Sequence, residues 1–101
     1  MRDWKNEIWG IERLRAFVKK DVGILIEEEK KEQQFVIRRL EGHIAQIRNA
    51  RETHLSQKIE FLKKRHDSVS NSMRDKDILE SYNEGITVLE KLRNEILNIK
   101  P

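Results

Sequence analysis

The chain has no cysteine, which excludes a disulfide framework, a thiolate nucleophile and a thiolate metal ligand. Its one proline is the last residue, Pro101, and it holds only four glycines, so almost nothing in it interrupts a helix. Apolar–polar alternation is nowhere sustained, which argues against strands. No stretch approaches the roughly 18 consecutive apolar residues of a membrane span. The start, Met1-Arg2-Asp3-Trp4, lacks the apolar run of a signal peptide, and a cytoplasmic protein is expected. No glycine-rich phosphate loop is present, and the serines gather in one polar stretch rather than beside a base. The expectation is therefore a non-enzymatic protein with no cofactor and no metal.

What is abundant is charge. Of 101 residues, 39% are charged and 37% hydrophobic, with a mean hydropathy of −0.80. That balance without periodicity reads as disorder. Here the apolar residues recur at three- and four-residue steps, the pattern of long helices that bury a narrow stripe. The chain reads as a single helical domain, 1–101. Its fold class is all-α, a long antiparallel helical hairpin of coiled-coil type with an additional amino-terminal amphipathic helix.

Three segments carry the pattern. The first, about 3–22, places Trp4, Ile8, Ile11, Val18 and Val22 on one face, with Leu14 beside them, while Trp9 points away. Gly23 suits the left-handed position after a helix end, so a break or kink is expected near 21–24, the alternative being a helix that continues through it. The second segment, about 25–67, runs through Val36, Ile37, Leu40, Ile44 and Ile47, meets Arg51, and resumes at Leu55, Ile59 and Leu62. The short polar side chains of Ser68 to Ser72 favour a turn. Ser72 and Asp75 resemble a capping box for the third segment, about 73–99, with Ile78, Tyr82, Ile86, Leu89, Leu92 and Ile96 in an unbroken stripe.

A turn centred near residue 70 makes facing positions on the second and third segments sum to about 141. That register sets Arg51 opposite Glu90 as a register pair, since a polar group at a buried position penalises slips. The two segments also differ in charge: residues 42–66 carry six bases against two acids, and 77–101 three against five. Mutual pairing follows before any outside partner is invoked.

Candidate chemistry is thin. His43 and His54 share a face but lie about 16 Å apart along a helix, too far to bind one metal, and His66 has only Asp67 beside it. Glu27, Glu28 and Glu29 point about 100° apart and read as a solvated face. Arg38, Arg39, Arg48, Lys58, Lys63, Lys64 and Arg65 form the case for nucleic acid, because a basic helix neutralises phosphates. Acids interrupt that run and aromatics do not interleave with it. The amino-terminal helix has the composition of an interfacial membrane helix, but Asp3, Glu7 and Glu12 dilute its charge, and membrane contact is not expected.

The reading that remains is a helical protein–protein interaction module, an adaptor, inhibitor or assembly factor, that self-associates as a homo-oligomer. Trp4, Ile8, Trp9, Phe17, Val36, Ile37 and Leu40 are its candidate partner-binding residues, on the expectation that the amino-terminal helix and residues 25–40 overhang the hairpin. Tryptophan is favoured at binding hot spots, which makes Trp9 the expected anchor. The alternative is a dimeric nucleic-acid-binding protein that uses the basic stripe.

Overall fold

A computed structural model describes residues 4–40, 44–72 and 74–99, with side chains from Gly10 onward. The described residues form three helices and no strand: α1 (Trp4–Arg38), α2 (Ile44–Ser72) and α3 (Lys76–Leu97). They pack side by side into a rod of 64 × 22 × 15 Å.

Pairings along the rod give its topology. Arg15 meets Asp75, Gln33 meets the Leu92 carbonyl, and Val22 lies against Gly85. A near-constant offset means that α1 and α3 run parallel. Ser56 accepts from Arg93, Leu62 lies against Gly85, and Arg48 donates to the Ile99 carbonyl, so α2 runs antiparallel to α3. Glu29 and Gln33 of α1 meet Arg51 of α2, so α2 is antiparallel to α1 as well. The result is an up-down-up three-helix bundle.

One apolar cluster fills its centre: Val18, Val22 and Ile26 from α1, Leu40 just after it, Leu55, Ile59 and Leu62 from α2, and Ile78, Tyr82, Ile86, Leu89, Leu92 and Ile96 from α3. The helices converge at Gly85. A Cβ there would stand 2.8 Å from Val22 Cγ1 and 3.0 Å from Leu62 Cδ1, so only the absent side chain allows this approach.

The element boundaries correct the sequence reading in three places. First, no break occurs at 21–24. Gly23 is helical, with nothing within 4 Å of a Cβ built on it. The cost of one glycine in a helix, about 1 kcal/mol, is met by Val18, Val22 and Ile26 packing on either side. Second, the long helix expected over 25–67 divides. The i→i+3 bonds from Arg39 N–H to Val36 O (3.0 Å) and from Leu40 N–H to Ile37 O (3.4 Å) tighten the end of α1, and α2 starts afresh at Ile44. Val36 and Leu40 therefore face the bundle rather than overhang it.

Third, the serines do not turn the chain. α2 runs to Ser72, whose hydroxyl donates to the Ser68 carbonyl at 2.8 Å, the i−4 back-bond by which serine is accommodated inside a helix. The turn comes later. Arg74 takes a left-handed φ of 51° and its N–H donates to Val69 O at 2.9 Å. Asp75 is itself the N-cap, its Oδ1 accepting from Ile78 N–H at 3.0 Å, where the capping-box reading had given that role to Ser72. A turn displaced by about three residues moves the α2–α3 register by about six, so facing positions sum to about 147–149 and not 141.

Candidate functional site

The register shift removes Arg51 from Glu90. Arg51 remains the polar position in the α2 seam, buried at 4% exposure, but its partner comes from α1. Its Nη1 donates to Glu29 Oε1 at 2.7 Å, its Nη2 to the Glu29 backbone carbonyl at 2.7 Å, and its Nε to Gln33 Oε1 at 2.8 Å. Gln33 in turn donates to the Leu92 carbonyl of α3 at 2.9 Å. His54, one turn along α2, brings Nε2 to 2.8 Å from Glu29 Oε2. Four side chains thus join all three helices in one hydrogen-bonded network.

Glu29 is the centre of it, and the expectation that Glu27 to Glu29 form a solvated face is corrected here. Glu29 is 5% exposed. Burial alone pushes its carboxyl up, but the hydrogen bonds and charges of His54 and Arg51 outweigh it and hold the group below the ordinary carboxylate value. No buried side-chain nitrogen or oxygen among the described residues lacks a partner. A satisfied network of this kind fixes one arrangement of the helices, because any slip strands a buried charge.

A second clamp holds the other end of α1. Arg15 forks onto Asp75, with Nε to Oδ1 at 3.2 Å and Nη2 to Oδ2 at 2.8 Å. The N-cap of α3 is thereby tied to α1, and Asp75 is held below its usual value by Arg15 and by the Ile78 N–H. Leu14, just before this clamp, still packs against the core, and the turns from Trp4 to Gly10, some 10 Å of helix, run on past the α2–α3 turn.

The expected partner-binding residues separate. The α1 backbone carries Trp4, Ile8 and Trp9 in the protruding turns, and their side chains lie outside the described residues. Phe17 is 64% exposed and Ile37 37%. Val36 packs against the core, and Leu40 belongs to it. Sequence reasoning missed Ile24, Phe35 and Phe61, which are 48%, 55% and 49% exposed. Their signal was available as spacing: Phe17, Ile24 and Phe35 are 7 and 11 residues apart, within about 20° of one line on an α-helix.

The basic residues separate too, and the single stripe is corrected. Lys63, Lys64 and Arg65 are consecutive on α2 and point about 100° apart. Arg38 and Arg39 stand at the far end of α1, beside the start of α2 and roughly 25 Å along the rod from Lys64. Arg48 is committed to the Ile99 carbonyl. Arg39 stacks over the Phe35 ring at 4.9 Å and Arg65 over Phe61 at 5.0 Å, where each covers an aromatic face.

Beside the Glu29 network lies an open groove between α1 and α2 of about 460 Å³, lined by Glu28, Glu32 and Val36 of α1 and by Ile47, Ala50 and His54 of α2. Among the described residues no group of three His, Asp or Glu side chains is placed to hold a metal ion. His66 Nδ1 stands 3.6 Å from Asp67 Oδ1, a contact between sequence neighbours with His66 half-buried and Asp67 exposed. None of the described helices is long and apolar enough to cross a membrane. The chain matches no protein-family model, no curated protein and no solved structure.

Proposed function

We propose that the chain is a non-enzymatic helical interaction module that acts by presenting the outer face of α1 to another protein surface. One observation carries the reading. The bundle completes its core with Val18, Val22 and Ile26 on the inner face of α1, yet Phe17, Ile24 and Phe35 form a second apolar line on that helix, exposed and unused by the fold. The three stand about 10 and 16 Å apart along the axis, with charged residues between them, so they are separate anchor points on one line of the helix rather than a continuous apolar patch. The protruding turns with Trp4, Ile8 and Trp9 extend the same helix beyond the bundle. A role as adaptor, inhibitor or assembly factor fits this surface, and self-association is one way to use it.

The test is affinity capture from cell extract with wild type and Phe17→Ser in parallel, helicity being followed by circular dichroism. The reading expects equal helicity and the loss of a specific partner; Trp9→Ala should behave alike if the protruding turns share in the contact. Identical capture by all three proteins would retire the α1 surface.

A further inference from the structure

The outer line of α1 is bordered by unlike charges. Lys20, Lys31 and Arg38, all exposed, lie on one flank, roughly 30–50° from the line of Phe17, Ile24 and Phe35. Asp21, Glu28 and Glu32, also exposed, lie on the other, roughly 30–70° away. Glu27, 4.0 Å from Lys30, lies farther round on the basic side, about 70° from the line; nearer the line the helix shows a basic edge, an apolar centre and an acidic edge.

Such a surface distinguishes between partners by geometry. If two copies meet face to face with a two-fold axis along the helices, α1 runs parallel to its copy, and each basic edge meets the other copy's acidic edge. An antiparallel meeting sets base against base and acid against acid, an arrangement that like-charge repulsion opposes. In the parallel arrangement Lys20 stands level with Asp21 of the second copy, and Lys31 lies between its Glu28 and Glu32. These offsets of one to three residues amount to about 1.5–4.5 Å along the axis.

The neighbouring helix leaves room for this. The acidic edge rims a groove of about 260 Å³ between α1 and α2, where Asp21, Ile24 and Glu28 face Phe61 and Arg65. Arg65, the one base on that rim, is stacked on the Phe61 ring. A basic edge lowered onto this groove meets the Asp21 and Glu28 carboxylates on the α1 side and Phe61 with its stacked Arg65 on the α2 side, so its attraction comes from the α1 side.

Resting on the reading of α1 as an interaction surface, we infer that its partner is a second copy of this chain, bound as a parallel two-fold pair through Phe17, Ile24 and Phe35, with Lys20 and Lys31 facing Asp21 and Glu28. The contact is isologous, so it closes at two copies.

Sedimentation of the full chain at about 100 µM, where a micromolar contact is saturated, should give a dimer. Phe17→Ser/Phe35→Ser should be monomeric. Lys20→Glu/Lys31→Glu should raise the dissociation constant at least ~10-fold, as should Asp21→Lys/Glu28→Lys, and mixing these two charge variants should restore a dimer. The chain has no cysteine, so single cysteines report orientation cleanly. Phe17→Cys alone should cross-link to itself on oxidation, and so should Phe35→Cys alone; in an antiparallel pair centred between them, each residue is about 27 Å from its own copy. A wild-type monomer, cross-linking only in a mixture of the two cysteine variants, or a dimer indifferent to both sets of substitutions overturns the inference. A monomer that still captures another protein through Phe17 overturns it and leaves the interaction reading standing.

Discussion

On its inner face α1 buries Val18, Val22 and Ile26 and commits Glu29 and Gln33 to Arg51, His54 and the Leu92 carbonyl. On its outer face, one residue or two away in sequence, Phe17, Ile24 and Phe35 stand exposed. Composition does not separate these faces: the inner one is the more polar at its centre, and the outer one carries two of the three phenylalanines. What separates them is whether a neighbour supplies partners. A carboxylate is tolerable inside because an arginine and a histidine meet it, and a phenylalanine is tolerable outside because its exposure costs the fold nothing it had gained. Apolar character alone would have assigned the two faces wrongly at Glu29 and at Phe35.

Of the residues that meet the inner face, Arg51 should be the most costly to remove. Arg51→Ala leaves the Glu29 carboxylate buried with His54 as its one remaining partner and frees the Gln33 Oε1, and a loss of about 3–5 kcal/mol in urea unfolding is expected. Replacing Glu29 and Arg51 together with leucine and methionine should recover part of that loss, because two buried charges are costly even when paired, while the Gln33 Oε1 still lacks its donor.

Acid performs a milder version of the same substitution. The folded pKa of Glu29 is depressed, so its contribution is fully present above the ordinary carboxyl value near 4.5 and is lost as pH falls through the lower folded value. Asp75, likewise depressed, moves in the same direction. A urea-midpoint series in acid should therefore fall less steeply in Glu29→Gln than in wild type. Equal slopes would show that Glu29 is not the group being titrated.

Two glycines sharpen the comparison at smaller cost. Gly85→Ala forces a methyl against Val22 and Leu62. Valine is stiff at χ1, so overpacking of about 1–3 kcal/mol is set against a helix-propensity gain of about 1, and a net loss of up to about 2 kcal/mol is expected. Gly23→Ala meets open space and should stabilise by up to about 1 kcal/mol. The thermal midpoints of the two variants should move in opposite directions.

Much of the bundle was legible in the sequence. The stripes Leu55, Ile59, Leu62 and Ile78, Tyr82, Ile86, Leu89, Ile96 mark two helices by spacing alone, and burial followed that spacing. The turns were less legible. Ser68 to Ser72 looks like a loop only when serine's competition for backbone groups outweighs its i−4 back-bond, and inside a packed helix the balance reverses. Gly23 looked like a stop because glycine is permissive, whereas the segment from Arg39 to His43, with Gly42 in it and two arginines at the preceding helix end, held the better stop signal.

The Glu29–Arg51 pair was half legible. Arg51 stands out as a polar residue in an apolar seam, but its partner depends on where the first helix folds back, a long-range fact that local spacing does not contain. The exposed line of α1 was hidden for a related reason: boundaries that left residues 25–40 overhanging put Val36, Ile37 and Leu40, and not Phe35, in the role of uncovered surface.

The outer face of α1 is proposed to serve association and not folding. The direct measurement is urea unfolding of Phe17→Ser/Phe35→Ser beside wild type, at a concentration low enough to hold both as monomers, paired with sedimentation of both at high concentration. The expected result is an unfolding free energy within about 0.5 kcal/mol of wild type, as for substitutions at exposed positions, together with loss of association. A fall of more than about 2 kcal/mol, the range of core truncations, with association unchanged would contradict it.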